Sequence, residues 1–274
     1  MTNSGDDRQK TVKDLLEYGK SLKNERENKK VDFVGSEKTP ERQPANKLLL
    51  QNPFAFLLAV IYDQGQKAEQ SWRYPYELCK AINSDQPDNI TEEQLIEFIS
   101  SKNLLELDCI FKSTEFQLRD WRTACPDTIR AVDIVLKKYN GKTSQIWEKG
   151  NPCPREITRR LQEFSGIAQK KGTMTPNILY RDLGWIDGNN LDEIDVSYDR
   201  HIRRIFLRTG LSNKGSLNRI VNAARELNPS YPGALDLPAW RIGRDYCDNR
   251  NPNCNQCPLT QKCSEERKER YHVQ

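Results

Sequence analysis

The sequence predicts an all-α protein of two lobes, and three observations carry that prediction. Helix start and stop signals recur along most of the chain, strand-like alternation is scarce, and four cysteines crowd together near the C-terminal end. Asn52 and Pro53 open a strongly apolar helix running to Tyr62, with Asn52 as its N-cap. Thr91-Glu92-Glu93-Gln94 has the capping-box order, a threonine three residues ahead of a glutamine. A further helix is predicted over Asp127–Tyr139, where Ile129, Val132, Ile134, Val135 and Leu136 fall mostly on one side and Asn140-Gly141 stops it. Others are predicted over Pro154–Phe164, Lys170–Leu183, Arg200–Thr209, Ser216–Leu227 and Pro238–Cys247. At the N-terminal side, Val12, Leu15, Leu16, Tyr18 and Leu22 mark an amphipathic helix from Gln9 to near Lys29, after a disordered start over residues 1–8. Pro40 and Pro44 interrupt the polar stretch Asn28–Ala45, which is read as a linker.

With 274 residues, the chain can build one large domain or two modest ones. At 36% hydrophobic and 30% charged residues it reads as soluble and rather polar, and its longest apolar run, Phe54–Ile61, is far too short for a bilayer. The polar start MTNSGDDRQK predicts no signal peptide, so the eight cysteines are expected in a reducing interior, unpaired. Cys79, Cys109, Cys125 and Cys153 are scattered and are expected to be small core residues. The net charge of +4 is unevenly spread. Residues 200–274 hold 14 Lys and Arg against 7 Asp and Glu, a net +7, which leaves −3 for the rest. A basic C-terminal third suggests a surface that faces a polyanion, although charge runs are usually just solvated faces.

Cys247, Cys254, Cys257 and Cys263 are spaced C-x6-C-x2-C-x5-C within 17 residues. Thiolates this close repel one another and oxidise easily, so a metal centre is expected to hold them. Four sulfurs suit a tetrahedral zinc or a four-iron cluster with one thiolate per iron. Zinc knuckles carry two short pairs; here only one gap is short, which favours iron–sulfur.

Between Leu161 and Met174 a helix ends, Ser165-Gly166-Ile167-Ala168 turns tightly, and a lysine-bearing helix begins. Such a turn offers backbone N–H groups to an anion such as a DNA phosphate, while Ile167 plugs the corner into the core. Asp199 starts a helix whose cationic face carries Arg200, Arg203, Arg204 and Arg208. Taken alone, Asp199 is an N-cap, and Lys170 is a solvated or phosphate-binding lysine.

Taken in order, Asn52-Pro53-Phe54, Tyr139-Asn140-Gly141, Gly166-Ile167-Ala168-Gln169-Lys170, Asp199-Arg200-His201-Ile202 and the cysteine loop resemble the endonuclease III family, the iron–sulfur branch of the helix-hairpin-helix DNA glycosylases. The resemblance covers roughly Lys47 to Cys263 and implies a [4Fe-4S] cluster on Cys247, Cys254, Cys257 and Cys263. It also implies excision of a damaged or mismatched base, by default a pyrimidine, from double-stranded DNA. The family's carboxylate falls on Asp199 and its Schiff-base lysine on Lys170, which would add abasic-site lyase activity. A monofunctional glycosylase in which Asp199 activates water is the alternative, and a non-catalytic iron–sulfur DNA-binding protein a further one. Expected DNA contacts are Ser165, Gly166, Ile167, Ala168, Lys171, Arg200, Arg203 and Arg250.

Three departures bear on substrate. The hairpin reads Phe164-Ser165-Gly166-Ile167-Ala168 where the family favours Leu-Pro-Gly-Val-Gly. Gly65 stands where endonuclease III carries its duplex-inserting glutamine, so Gln64 or Gln66 is the candidate wedge. Arg250 is the one cation in the long cysteine gap. The implied organisation is an N-terminal tail and helix over 1–47, a six-helix barrel over 48–193 and an iron–sulfur domain over 194–274. A monomer is expected, without membrane attachment, in the cytoplasm or nucleoid, or in the nucleus of a eukaryote.

Overall fold

The computed structural model describes residues 5–27, 31–115 and 118–263. These form α1 (Gly5–Glu27), α2 (Gln43–Gln51), α3 (Pro53–Tyr62), α4 (Ala68–Ser71), α5 (Tyr74–Lys80), α6 (Glu92–Ser100) and α7 (Leu104–Ser113). They continue as α8 (Trp121–Tyr139), α9 (Gln145–Glu148), α10 (Pro154–Leu161), α11 (Gln169–Ile178), α12 (Arg200–Thr209), α13 (Leu217–Leu227) and α14 (Asp236–Asp245). Short 3-10 turns lie between them, and no strand occurs among the described residues. The expected all-α class is what the chain adopts. None of its described helices is long and apolar enough to cross a membrane.

The chain divides into two compact units. One, the hairpin unit, comprises the described residues of Val31–Pro152 and Glu156–Thr175; the other, the cysteine unit, those of Met1–Lys30, Cys153–Arg155 and Pro176–Gln274.

The hairpin unit is built around α3. Every residue from Phe54 to Tyr62 is buried, which explains why this helix is apolar on all sides rather than on one stripe. Helices α2, α5, α6 and α8 pack on it. Asn52 caps its start, the side chain accepting from the Ala55 N–H at 2.9 Å. The Tyr62 ring meets Tyr74 and Phe111 edge-on, and its hydroxyl reaches Thr128 Oγ1 at 2.6 Å. The capping box on α6 forms as the sequence predicts, with both reciprocal bonds between Thr91 and Gln94 in place.

Two expectations need correction here. Helix α8 begins at Trp121, six residues before Asp127, and runs through Pro126. A proline removes one helical hydrogen bond, and burial of Ala124, Cys125 and Thr128 holds the extra turns in place. The stretch read as a linker is also ordered where it is described. Asp32 Oδ1 accepts from the N–H groups of Val34 and Ser36, and Phe33 stacks on Trp72 at 4.9 Å. Side-chain bonds to the backbone replace regular structure there, and α2 starts at Gln43, inside the expected linker. Residues 28–30 of that stretch, and residues 1–4 of the expected disordered start, lie outside the described residues.

In the cysteine unit, α1 lays Val12 and Leu15 on a core shared by Ile202, Phe206, Ile220 and Ile242. Helix α12 packs against α14. Cys247 and Leu259 belong to the same core, so the cysteine loop is seated on it. Of the scattered thiols, Cys79 and Cys125 are buried as expected, but Cys109 is exposed and Cys153 half-buried. Neither of those two is a core residue.

Candidate nucleic-acid interface and metal centre

In the hairpin unit, α10 and α11 form the expected helix pair. Gly166 turns the chain with φ +86°, and a Cβ there would stand 3.2 Å from both Ile61 Cγ2 and Asp127 Oδ2. Only glycine meets both demands. Ile167 is buried and fixes the corner, as predicted, while Ala168 is exposed and Ser165 half-exposed.

Lys170 and Lys171 follow on α11 and have opposite surroundings. Lys170 is 42% exposed, its Nζ 3.6 Å from Asp63 Oδ2. Lys171 is 7% exposed and donates from Nζ to the Ile61 carbonyl at 2.6 Å. Burial pushes the Lys171 amine down to about 8, against the attraction of Asp63. Lys171 was expected to face DNA; the structure turns it inward, onto the C-terminal end of α3. Its ammonium satisfies one of the carbonyls that a helix end leaves open.

The loop after α3 carries the wedge candidates. Gln64 is exposed. The Gln66 side chain is engaged, its Oε1 accepting the Arg119 N–H at 2.8 Å. Arg119 Nη1 in turn donates to the Gly65 carbonyl at 2.7 Å. Gly65 has φ +71°, and a Cβ would lie 2.7 Å from Asp120 Oδ2, so a glutamine at this position would be strained and would have to displace Asp120. Of the two candidates, Gln64 is the displayed one and Gln66 the anchor.

In the cysteine unit, Asp199 caps α12, Oδ1 accepting from the N–H groups of His201 and Ile202 at 2.8 Å each. Among the described residues its Oδ2 accepts no hydrogen bond. The cap and a chemical role are therefore compatible: one oxygen orients the carboxylate and the other is available. The residues leading to it are held by Asp236, which accepts from the N–H and hydroxyl of Ser197 at 3.1 and 2.9 Å. Burial raises the Asp236 carboxyl to about 6.

The arginines of α12 do not form one cationic face. Arg200 and Arg203 line an open pocket of about 250 Å³ with His201, Arg204, Asp248 and Asn249. Arg204 is turned partly inward, donating to the Gly243 carbonyl at 2.7 Å and to His201 Nδ1 at 3.0 Å. Burial lowers the His201 pKa, which suits an imidazole accepting from a guanidinium. Arg208 is 2% exposed and points to the cysteine loop. Its period along the helix is right for the exposed stripe, but tertiary packing claims it.

Cys247, Cys254, Cys257 and Cys263 line one pocket together with Arg208, Tyr246, Pro252 and Thr260. Arg208 Nη1 donates to Cys247 Sγ at 3.0 Å and to the Asp248 carbonyl at 3.0 Å. A buried guanidinium thus places a positive charge directly on one of the four sulfurs. No group of three His, Cys, Asp or Glu side chains among the described residues is arranged to hold a single metal ion. A tetrahedral zinc needs four sulfurs about 2.3 Å from one point, whereas a four-iron cluster takes one sulfur per iron around a wider body. Four sulfurs lining one pocket, with a cation on one of them, are a donor set that fits a thiolate-bound metal centre. Lys262 ties this loop to α1 through Asp14 at 3.0 Å, and Arg250 is exposed.

Two contributors escaped the sequence reading. Arg208 carried no distinguishing local signal. Asp63 did carry one: an acidic residue at the C-terminal end of a helix opposes the helix dipole and calls for another reason to be there.

No protein-family model matches this sequence, and no curated protein matches it. Solved structures do. One, a trapped endonuclease III–DNA covalent intermediate in an estranged-adenine complex, is similar with a TM-score of 0.56 and 18% identity, over 86% of this chain and 92% of that one. Another, a non-covalent endonuclease III–DNA complex, is similar with a TM-score of 0.56 and 18% identity, over 82% and 88%. The family that the motifs resemble is thus the one whose architecture the helices reproduce, and this chain has the endonuclease III fold.

Proposed function

We propose that this protein is a DNA glycosylase of base-excision repair, removing a damaged or mismatched pyrimidine from double-stranded DNA and nicking the strand through a lysine Schiff base. The observation that carries the reading is Lys170, a half-exposed amine at the start of α11, immediately after a glycine turn that only this residue type can make. The likeness to a solved endonuclease III trapped covalently on DNA supports it.

The target base leaves the stack before it is cut, with Gln64 as the wedge that fills its place. The Ser165–Ala168 turn, Arg200, Arg203 and Arg250 hold phosphates. As the base departs, C1′ gains positive character, and the available oxygen of Asp199 stabilises charge that exists only in the transition state. Lys170 attacks C1′ to give the Schiff base, after which β-elimination releases the 3′ phosphate. The four cysteines would hold a [4Fe-4S] cluster, which would keep the loop folded against α1 and α12, since glycosidic cleavage itself needs no redox step.

The alternative is the monofunctional reading, in which Asp199 activates water and Lys170 forms no adduct. Incubation with a panel of single-lesion duplexes, resolved with and without alkali, separates the two. Nicking without alkali and a borohydride-trapped adduct lost in Lys170→Ala support the lyase. Alkali-dependent nicking, abolished by Asp199→Asn, supports the water mechanism. Binding without base release on every lesion would overturn both.

A further inference from the structure

Asp63 is the unexplained charge of the hairpin unit. It ends α3, where the helix dipole disfavours an anion, and its side chain is 11% exposed. Its charge attracts the buried Lys171 as well, but the Lys171 Nζ donates to the Ile61 carbonyl two residues earlier and not to Asp63. Its carboxylate accepts no hydrogen bond among the described residues, and its ion pair is with Lys170 Nζ at 3.6 Å. Lys171 fixes the end of α3 against α11, so that Asp63 and Lys170 are presented to each other from two anchored elements. An anion placed against dipole and desolvation, and in an ion pair with the accessible one of two amines, is positioned to exchange a proton with it.

We infer that Asp63 is a catalytic residue: the proton acceptor that frees the Lys170 amine for attack. The inference rests on Lys170 being the nucleophile. A proton passes from the Lys170 ammonium to the Asp63 carboxylate, leaving a neutral amine. The Nζ lone pair then bonds to C1′ as the bond from C1′ to the base breaks, and the base leaves with that electron pair. The departing base takes the second proton of Nζ. The nitrogen lone pair next forms the C=N bond, the C1′–O4′ bond breaks, and O4′ takes the proton stored on Asp63. Asp63 ends ionised, as it began, and protons and charge balance without another reactant.

The test uses the full-length protein and a duplex carrying one abasic site, where the same ammonium proton must leave before the Schiff base forms. Single-turnover adduct formation is followed by borohydride quenching. General-base contributions are commonly about 10²–10⁴-fold, and Asp63→Asn is expected to slow the adduct at least about tenfold with duplex affinity preserved. Asp63→Glu, which returns the carboxylate on a longer stem, recovers much of the rate. Added imidazole accelerates Asp63→Asn in proportion to its base form and leaves the wild type unchanged. A wild-type rate in Asp63→Asn overturns the inference. So does an Asp63→Asn defect that neither glutamate nor imidazole relieves, since that is a packing role. A wild-type protein that forms no adduct at all overturns the lyase reading itself, and is distinguished from the other failures by the wild-type lane alone.

Discussion

Lys171 gives the sharpest physical test. Replacing it with methionine keeps the length of the stem and removes the amine that sits 7% exposed on the Ile61 carbonyl. Its pKa falls from 10.5 to about 8 on folding, so between those values the unfolded chain binds more protons than the folded one. Stability contributed by this residue must therefore rise with pH through that window. The full difference is on the order of 3 kcal/mol, and integration between about pH 7 and about pH 9.5 leaves about 2 kcal/mol of it. Equilibrium urea unfolding of wild type and Lys171→Met at those two pH values isolates the effect, because the other titrating groups cancel in the difference. The wild type should gain about 2 kcal/mol on the variant as pH rises. A gap that stays constant, or that moves the other way, would refute the claim that burial of this ammonium governs its titration.

Three further outcomes are expected. Gly166→Ala puts a side chain at φ +86° and 3.2 Å from Ile61 Cγ2, which should cost about 1–3 kcal/mol; an unchanged melting temperature would contradict it. Arg208→Met removes the guanidinium from Cys247 Sγ, and should lower the visible absorbance per chain of the proposed iron–sulfur cluster. Full absorbance in that variant would show that the sulfur needs no buried cation. Asp236 has the opposite pH sign to Lys171. Its carboxyl rises from 3.8 to about 6 on folding, so the folded chain binds more protons and stability falls as pH climbs through that range. Asp236→Asn should remove about 2 kcal/mol of that fall between about pH 4 and about pH 6.5, measured by urea unfolding against wild type.

What was legible in the sequence was local. Asn52 and Thr91 announce their helices because a cap needs only three or four consecutive residues, and Gly166 announces its turn for the same reason. The cysteine set was legible because its members are close in the chain, and the structure gathers them around one pocket. Arg208 was not, since its 39-residue separation from Cys247 leaves only helical periodicity to judge by, and periodicity pointed outward. Lys171 failed likewise: two adjacent lysines on a helix look alike, and only the packing of α11 on the end of α3 makes one interior and the other accessible. Gln66 was separated from Gln64 by its bond to the Arg119 backbone, 53 residues away. The start of α8 was hidden by Pro126, whose local signal is a stop and whose tertiary surroundings override it.

The discontinuity of the cysteine unit has a consequence for biosynthesis. The hairpin unit is complete once residue 175 has been made, but α1 finds its partners only among residues after 175. At roughly 5–20 residues per second, the apolar stripe of Val12 and Leu15 waits tens of seconds beside the ribosome before α12 and α14 emerge. The cysteines follow all the helices of this unit, and Lys262 cannot close onto Asp14 until residue 262 has been made. Helix α1 and the cysteine loop are thus a single assembly step, and slow elongation or scarce chaperone should injure this unit before the hairpin unit.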